Sequence, residues 1–319
     1  MVADDRLRVV FMGTPNFAVP TLDALLTSRH QVVGVVTQPD KPRGRGQKTS
    51  DAPVKARASA AGVPVLQPTR LKDPEFLTAF QALRADLGVV AAYGKILPNV
   101  ILDAPRLGMI NVHASLLPRY RGAAPVHRAI LAGEGETGVT IMRVVPALDA
   151  GPMLAKATRI IGPDETSETV ERDLASIGAT LLVDIVDRLA AGAVTETPQD
   201  DSLATYAHRL VREEGVMDWQ RDARELHDQV RGLRPWPQAF TFLDGHRYIV
   251  QQAAVDVTDG SSAAPGTVIE AEGDRLIVAA GRGALRLIAV QPEGKRALTA
   301  REFLAGHRLA RGARFSGPP

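Results

Sequence analysis

Cysteine is absent from this chain of 319 residues. Disulfides, thiolate-ligated zinc and a cysteine nucleophile are therefore excluded, and a reducing compartment is compatible with the composition. No run of about 18 consecutive apolar residues occurs, so no bilayer-spanning helix is expected. The opening stretch through Gly13 carries Asp4 and Asp5 and only a short apolar run, which does not read as a secretory signal. From these absences we expect a cytoplasmic protein with no membrane partner. There is no Gly-x-Gly-x-x-Gly after the first apolar run, only Gly13, so dinucleotide binding has no support. Gly44-Arg-Gly46 lacks the Gly-Lys-Ser/Thr ending of a phosphate-binding loop. Repeats, low-complexity tracts and metal-ligand spacings are also missing.

What is present is ordinary globular material. Hydrophobic residues make up 45% and charged ones 23%, which removes collagen-like, coiled-coil and largely disordered readings. The length points to two domains. Net charge is only +2, but the basic groups are clustered. Lys41, Arg43, Arg45 and Lys48 sit close together on a Gly/Pro-containing stretch without an acid. Near the C-terminus, Lys295, Arg296, Arg301, Arg308, Arg311 and Arg314 face only Glu302. A single run of this kind is ordinary solvated surface; two of them point toward a polyanionic partner.

The first two-thirds alternate between short β-branched runs and amphipathic stretches. Residues 7–12, 31–37, 63–66, 86–93, 109–113 and 138–145 read as strands, with helices expected near 54–61, 75–83 and 126–131. This order implies an α/β fold: a Rossmann-like, doubly wound, mostly parallel sheet covered on both faces. Val170, Leu174, Ile177, Leu181, Ile185 and Leu189 recur at helical spacing, with Asp164, Glu165 and Glu168 at the end where the helix dipole favours acids. The polar stretch 190–207, broken by Gly192 and Pro198, reads as a linker. We therefore divide the chain into a catalytic domain 1–189, a linker 190–207 and a C-terminal domain 208–319. In the last of these a helix is expected over 221–233. Five short strands follow, over 240–243, 247–254, 266–271, 275–280 and 284–290, with Asp244-Gly245 as a hairpin signal. They suggest a small OB-like β-barrel. Thr299-Ala-Arg-Glu302 has the spacing of a helix capping box.

In such a sheet, ligands bind beyond the C-terminal ends of the strands. Two polar groups stand where strands are expected to end. Asn111 and His113, two residues apart on one strand, point to the same face. A carboxamide beside an imidazole can polarise a carbonyl and move a proton. Asp149, past the 138–145 strand, would orient His113 and favour its imidazolium. Singly each of these has an ordinary structural explanation, a strand-end His or a turn Asp; together they suggest chemistry. Ser115, His113 and Asp149 contain the letters of a hydrolase triad, but Ser115 lacks the Gly-x-Ser-x-Gly elbow.

Several longer motifs then bear on family. Phe11-Met-Gly-Thr-Pro15, Thr37-Gln-Pro-Asp40, Ala92-Tyr-Gly94, Ile110-Asn-Val-His-Ala-Ser-Leu-Leu-Pro-Arg-Tyr-Arg-Gly-Ala-Ala-Pro125, Thr137-Gly-Val-Thr-Ile-Met142, Leu148-Asp-Ala-Gly151, Trp236-Pro237 and Pro265-Gly266 occur in this order. They resemble the methionyl-tRNA formyltransferase family over nearly the whole chain. The resemblance implies transfer of a formyl group from 10-formyltetrahydrofolate, as co-substrate and without a metal, to the amino group of methionine on initiator tRNA. It implies Asn111, His113 and Asp149 as the catalytic residues and Ser115, Leu116, Leu117 and Pro118 as folate contacts. The loop carrying Lys41, Arg43, Arg45 and Lys48 matches the insertion that reaches the tRNA acceptor end. A monomer is expected on the same ground. Ala114 replaces a frequent Gly, Pro152 an occasional Asp and Arg209 a frequent Lys. A formyltransferase acting on an amino-sugar nucleotide would share the folate motif and a barrel-like second domain, and one acting on glycinamide ribonucleotide the Asn, His and Asp. The basic loop and basic C-terminus argue against the first, and the length against the second. A non-catalytic RNA-binding module would leave those three residues unexplained.

Overall fold

The computed structural model describes residues 6–43, 48–257, 262–307 and 309–318, apart from the side chains of 41–43 and 48–50. The described chain divides into two compact units.

The first unit contains Met1–Pro125, Glu136–Arg159 and Glu171–Ala207. Its strands are β1 (Arg8–Gly13), β2 (Gln31–Val36), β3 (Lys41–Arg43), β4 (Lys48–Ser50), β5 (Val65–Leu66), β6 (Leu87–Ala91), β7 (Met109–His113), β8 (Arg121–Gly122), β9 (Glu136–Arg143), β10 (Met153–Ile160) and β11 (Tyr206–Ala207). Seven of them form one sheet in the order β10-β9-β7-β6-β1-β2-β5. The pairs β6–β7, β1–β6, β1–β2 and β2–β5 are parallel, as the βαβ pattern requires. The central strands are apolar at nearly every position because helices cover both faces; Val9, Val10, Phe11 and Met12 of β1 are all fully buried. The unit's helices are α1 (Val19–Thr27), α2 (Pro53–Ala60), α3 (Pro74–Ala82) and α4 (Asn99–Leu102); α5 (Pro125–Leu131) belongs to the second unit from Val126 onward, and α6 (Ser167–Ala190) to the first unit from Glu171 onward. Helix α3 starts where its chemistry says it should. Pro74 stands at the first turn, and the Asp73 carboxylate accepts from the Glu75 amide at 3.0 Å.

Strand β9 departs from the mostly parallel pattern, because it lies antiparallel to β7. Its last residue, Arg143, pairs with Ile110 near the start of β7, while Thr140 pairs with His113. The period-2 apolar run of β9 carries no information about direction, which is why the sequence does not reveal this.

The second unit contains Val126–Gly135, Ile160–Val170 and His208–Pro319. It holds α7 (Ala223–Gly232), β12 (Phe240–Leu243), β13 (His246–Asp256), β14 (Val268–Glu272), β15 (Arg275–Ala279), β16 (Ala284–Pro292), β17 (Leu298–Thr299) and α8 (Ala300–Gly306). The order β12-β13-β16-β15-β14, with β17 on β16, is antiparallel throughout its named pairings. Asp244 and Gly245 both adopt positive φ, 49° and 77°, in the hairpin between β12 and β13. Both helices begin on reciprocal caps, Asp222 with Glu225 and Thr299 with Glu302.

The barrel is closed by a segment that the sequence does not mark as strand. Thr267 bridges Arg314 and Phe242 bridges Ser316, so residues 312–316 join the two outer strands β14 and β12. Phe315, at 2% exposure, seals the interior against Trp219, with ring centroids 6.0 Å apart. The buried indole N–H of Trp219 is satisfied by Thr241 Oγ1 at 2.9 Å, and that hydroxyl donates in turn to Ser316 O.

The stretch 190–207, expected as a linker, is instead folded onto the first unit. Met153 and Thr197 exchange two backbone hydrogen bonds of 2.8 Å, and β11 pairs in parallel with β8. Breakers such as Pro198 rule out long regular elements, not single bridges. Residues 126–135 and 160–170 group with the second unit, so its sequence is discontinuous. Among the described residues, no helix is long and apolar enough to cross a membrane.

Removing the ring that closes the barrel should be costly. Phe315→Ala is expected to destabilise the second unit by ~3–5 kcal/mol, read by urea unfolding followed through Trp219 fluorescence; an unchanged midpoint would show that the closing segment is peripheral.

Candidate active site

Strand β7 delivers Asn111 and His113 to the C-terminal edge of the parallel strands. His113 is 5% exposed and Asn111 partly exposed. Immediately after the strand the chain turns, with the Ser115 amide donating to His113 O at 2.9 Å. His113 Nε2 lies 2.9 Å from the carbonyl oxygen of Tyr120. A carbonyl only accepts, so Nε2 carries the hydrogen, and Nδ1 is the nitrogen left to gain or lose a proton. Nδ1 is 3.7 Å from Asp149 Oδ2. Among the described residues the Asn111 carboxamide has no hydrogen-bond partner, which leaves its N–H donors available to an incoming oxygen.

Asp149 reaches His113 by a longer route than the strand order suggests. Because β9 is antiparallel, it ends beside the start of β7, and the loop 144–152 carries Asp149 back to the imidazole. Asp149 has φ of 46°, a left-handed conformation that Asp tolerates better than most residues. Two glycines make the approach possible. Gly122, at φ 122°, donates its N–H to Asp149 Oδ2 at 2.9 Å, and a Cβ there would meet Ala207 O at 2.7 Å. A Cβ on Gly151 would fall 2.0 Å from Arg143 O.

The segment Ser115, Leu116, Leu117 and Pro118 is held as a rigid wall next to this pair. The buried Ser115 hydroxyl donates to Arg119 O at 2.6 Å, which occupies it and removes the hydrolase reading. Thr140 Oγ1 donates to Ser115 O at 2.7 Å and accepts from the Leu117 amide at 3.1 Å. Lys156 donates to Leu117 O, and burial pushes its ammonium below the usual lysine pKa. A cavity of about 440 Å³ lined by Leu107, Met109, Arg143 and Pro152 opens at the opposite end of β7 and takes no part in this arrangement. No cluster of three or more possible metal ligands occurs among the described residues.

Comparison with known proteins shows the family. Residues 7–186 match the formyl transferase family model and 209–308 its formyl transferase C-terminal domain. The chain is 50% identical over 304 residues to the methionyl-tRNA formyltransferase of Methylococcus capsulatus, covering 95% of this chain and 98% of that one. It is 49% identical over 307 residues to that of Paramagnetospirillum magneticum, covering 96% and 99%. The chain belongs to the methionyl-tRNA formyltransferase family.

Membership makes it a formyl-transferring enzyme. The fold is shared more widely. A sugar 3N-formyl transferase, WlaRD, superposes with a TM-score of 0.66 at 16% identity, over 91% of this chain and 99% of that one. A phosphoribosylglycinamide formyltransferase from Bacillus halodurans does so at 0.51 and 23% identity, over 58% of this chain and 96% of its own.

Within this family member part of the basic loop lies among the described residues. Lys41, Arg43 and Lys48 lie on the paired strands β3 and β4, where Lys41 faces Ser50 in the register. Their side chains, and Arg45 as a whole, lie outside the described residues. The base of the hairpin is tied by ion pairs. Lys55 of α2 pairs with Asp40, just before β3, and with Asp51, just after β4, at 2.8 Å in the second case. The Lys55 ammonium holds the Asp40 carboxyl below the usual carboxylate range, assisted by Gln67 Nε2 at 3.0 Å. In the C-terminal cluster Arg296 is paired with Glu302, while Lys295, Arg301, Arg311 and Arg314 are exposed; Arg308 lies outside the described residues. Arg209, the departure from a frequent Lys, is exposed too.

The sequence reading missed the groups that support the site: Tyr120 O, Gly122 N, Thr140 and Lys156. Backbone donors and acceptors leave no mark in sequence, and Thr140 reads as one more β-branched strand residue. Its hydroxyl is nonetheless buried with two backbone partners. Thr140→Val should therefore cost ~1–3 kcal/mol, whereas Thr140→Ser should retain most of the stability, both read by denaturant unfolding; equal stability of the two variants would refute the bridging role.

Proposed function

We propose that this protein transfers the formyl group of 10-formyltetrahydrofolate to the α-amino group of methionine on initiator methionyl-tRNA. The observation that carries this reading is a partly exposed carboxamide with free donors, two residues along the strand from an imidazole whose Nδ1 faces a carboxylate at 3.7 Å. The family supplies the acceptor, since the curated relatives carry that name. Neighbours of the same fold were solved with folates, one of them with 5-N-formyl-THF and another with tetrahydrofolic acid.

The chemistry follows from these groups. The attacking amine has to be neutral, and a free α-amino group has a pKa of about 7.7–8.0. Its nitrogen bonds to the formyl carbon, and the carbonyl electron pair moves onto oxygen. Asn111 donates to that oxyanion, and His113 donates from a protonated Nδ1. Loss of one such donor costs ~10²–10³ in rate in other enzymes. Asp149 balances the positive charge on the ring. The carbon–nitrogen bond to the folate then breaks as the amine's proton passes to the leaving nitrogen, releasing tetrahydrofolate and the formylated amine. Ser115, Leu116, Leu117 and Pro118 form the wall against which the folate lies. Their stiffness comes from Thr140 and Lys156.

Lys41, Arg43, Arg45 and Lys48 supply phosphate contacts for the tRNA acceptor end, and the exposed basic residues of the second unit supply more. Such contacts position a nucleic acid without reading its bases. Lys55 fixes where the hairpin leaves the sheet.

The direct test is formation of formyl-methionyl-tRNA from 10-formyltetrahydrofolate, run beside an amino-sugar nucleotide acceptor. Product is expected with tRNA alone; turnover of the sugar nucleotide only would overturn the assignment. Asn111→Ala and Asp149→Ala should each lower kcat by ~10²-fold or more with little change in folate affinity. Parallel loss of folate binding and turnover would instead make these binding residues. Arg45→Ala should raise KM for charged tRNA, with the difference shrinking as salt rises; a salt-independent change would point away from phosphate contact.

A further inference from the structure

The stretch 190–207 contributes a side chain to the site. Gln199 Nε2 donates to two backbone carbonyls of the loop that carries the carboxylate, Asp149 O and Gly151 O, both at 2.8 Å. Its Oε1 accepts from Arg121 Nε at 3.1 Å and Nη2 at 2.8 Å. The orientation of this amide is unambiguous. One end meets only acceptors and the other only donors, so a flipped amide would face like groups at both ends.

Arg121 is 4% exposed and pairs with the Asp201 carboxylate at 2.6 Å. Its neighbour Gly122 is the residue whose N–H holds Asp149 Oδ2. One dipeptide, Arg121-Gly122, thus grips Asp149 twice. Gly122 holds the carboxylate directly, and Arg121 holds the backbone through Gln199. The chain around Gln199 is itself pinned, by the Thr197–Met153 bridge on one side and by β11 on the other.

We propose that Gln199 is a positioning residue for the formyl transfer: it holds the left-handed turn at Asp149, so that the carboxylate stays opposite Nδ1 of His113. The inference rests on the reading of Asp149 as the group that balances charge on that imidazole. A left-handed non-glycine residue costs energy and persists only where its surroundings hold it. Two hydrogen bonds to the carbonyls of that turn, from an amide oriented by a buried guanidinium, supply this restraint. A displacement of about 1 Å in such a group can cost ~10²-fold in rate.

The test is a mutant cycle on the full chain, assayed with 10-formyltetrahydrofolate and methionyl-tRNA. Gln199→Glu keeps the acceptor for Arg121 but sets an oxygen against both carbonyls. Gln199→Leu fills the space without polar atoms, and it carries the same cycle if the glutamate variant fails to fold. We expect kcat to fall ~10- to 100-fold, with KM for both substrates within about 3-fold of wild type. In an Asp149→Ala background the same substitution should lower kcat by less than about 3-fold further, because its effect passes through Asp149. Near-wild-type kcat in the single variant, a rise in KM in place of the fall in kcat, or an undiminished loss on top of Asp149→Ala would each overturn the positioning role. If Asp149→Ala itself turned over at the wild-type rate, the underlying reading of the site would fall, and this inference with it.

Discussion

An imidazole becomes a directed group only when something fixes which of its nitrogens is free. Here that constraint is the hydrogen bond from His113 Nε2 to the Tyr120 carbonyl. It commits Nδ1 to the open side of the ring, where Asp149 stands 3.7 Å away. Every supporting feature bears on this pair. The sheet holds His113 between Thr140 and the buried segment after it. Gly122 and Gly151 allow two stretches of backbone to approach closer than any side chain would permit. The antiparallel course of β9 forces the chain to return through the loop 144–152 before it can offer its carboxylate.

The same economy governs the rest of the first unit. Thr140 serves two backbone groups with one hydroxyl, and Lys55 serves two carboxylates with one ammonium. The Thr140 hydroxyl is buried and satisfies backbone groups that would otherwise be costly where water is excluded. The first stiffens the wall beside the imidazole, the second the root of the basic hairpin. In the second unit the equivalent device is Thr241, which links the Trp219 indole to the closing segment at Ser316. In both units, then, a buried threonine hydroxyl fixes a neighbouring segment through a backbone carbonyl.

Much of the architecture is legible in the sequence. The helical spacing from Val170 to Leu189 became α6, and the positive φ values at Asp244-Gly245 and the reciprocal cap at Thr299 and Glu302 followed their signals. Three features are not. The direction of β9 is invisible because an apolar run reads the same both ways. Closure of the barrel depends on residues 312–316, whose Gly and Arg content reads as loop. The pairing of 190–207 uses isolated bridges too short to leave a period.

Local chemistry, then, was decided by sequence alone. Residue order set where strands and helices start, put Asn111 and His113 on one face of β7, and gathered the basic residues near Lys41 and in the last part of the chain. Those properties depend on neighbours within a few positions, so spacing suffices to read them. Which partners each group meets was decided only by the tertiary structure. Asp149 opposite His113, Gln199 beneath Asp149 and Ser316 beside Phe242 join residues 36, 50 and 74 positions apart in the chain. Such contacts form when apolar burial brings distant backbone together and the polar groups meeting there pair with one another, an outcome that no local pattern encodes.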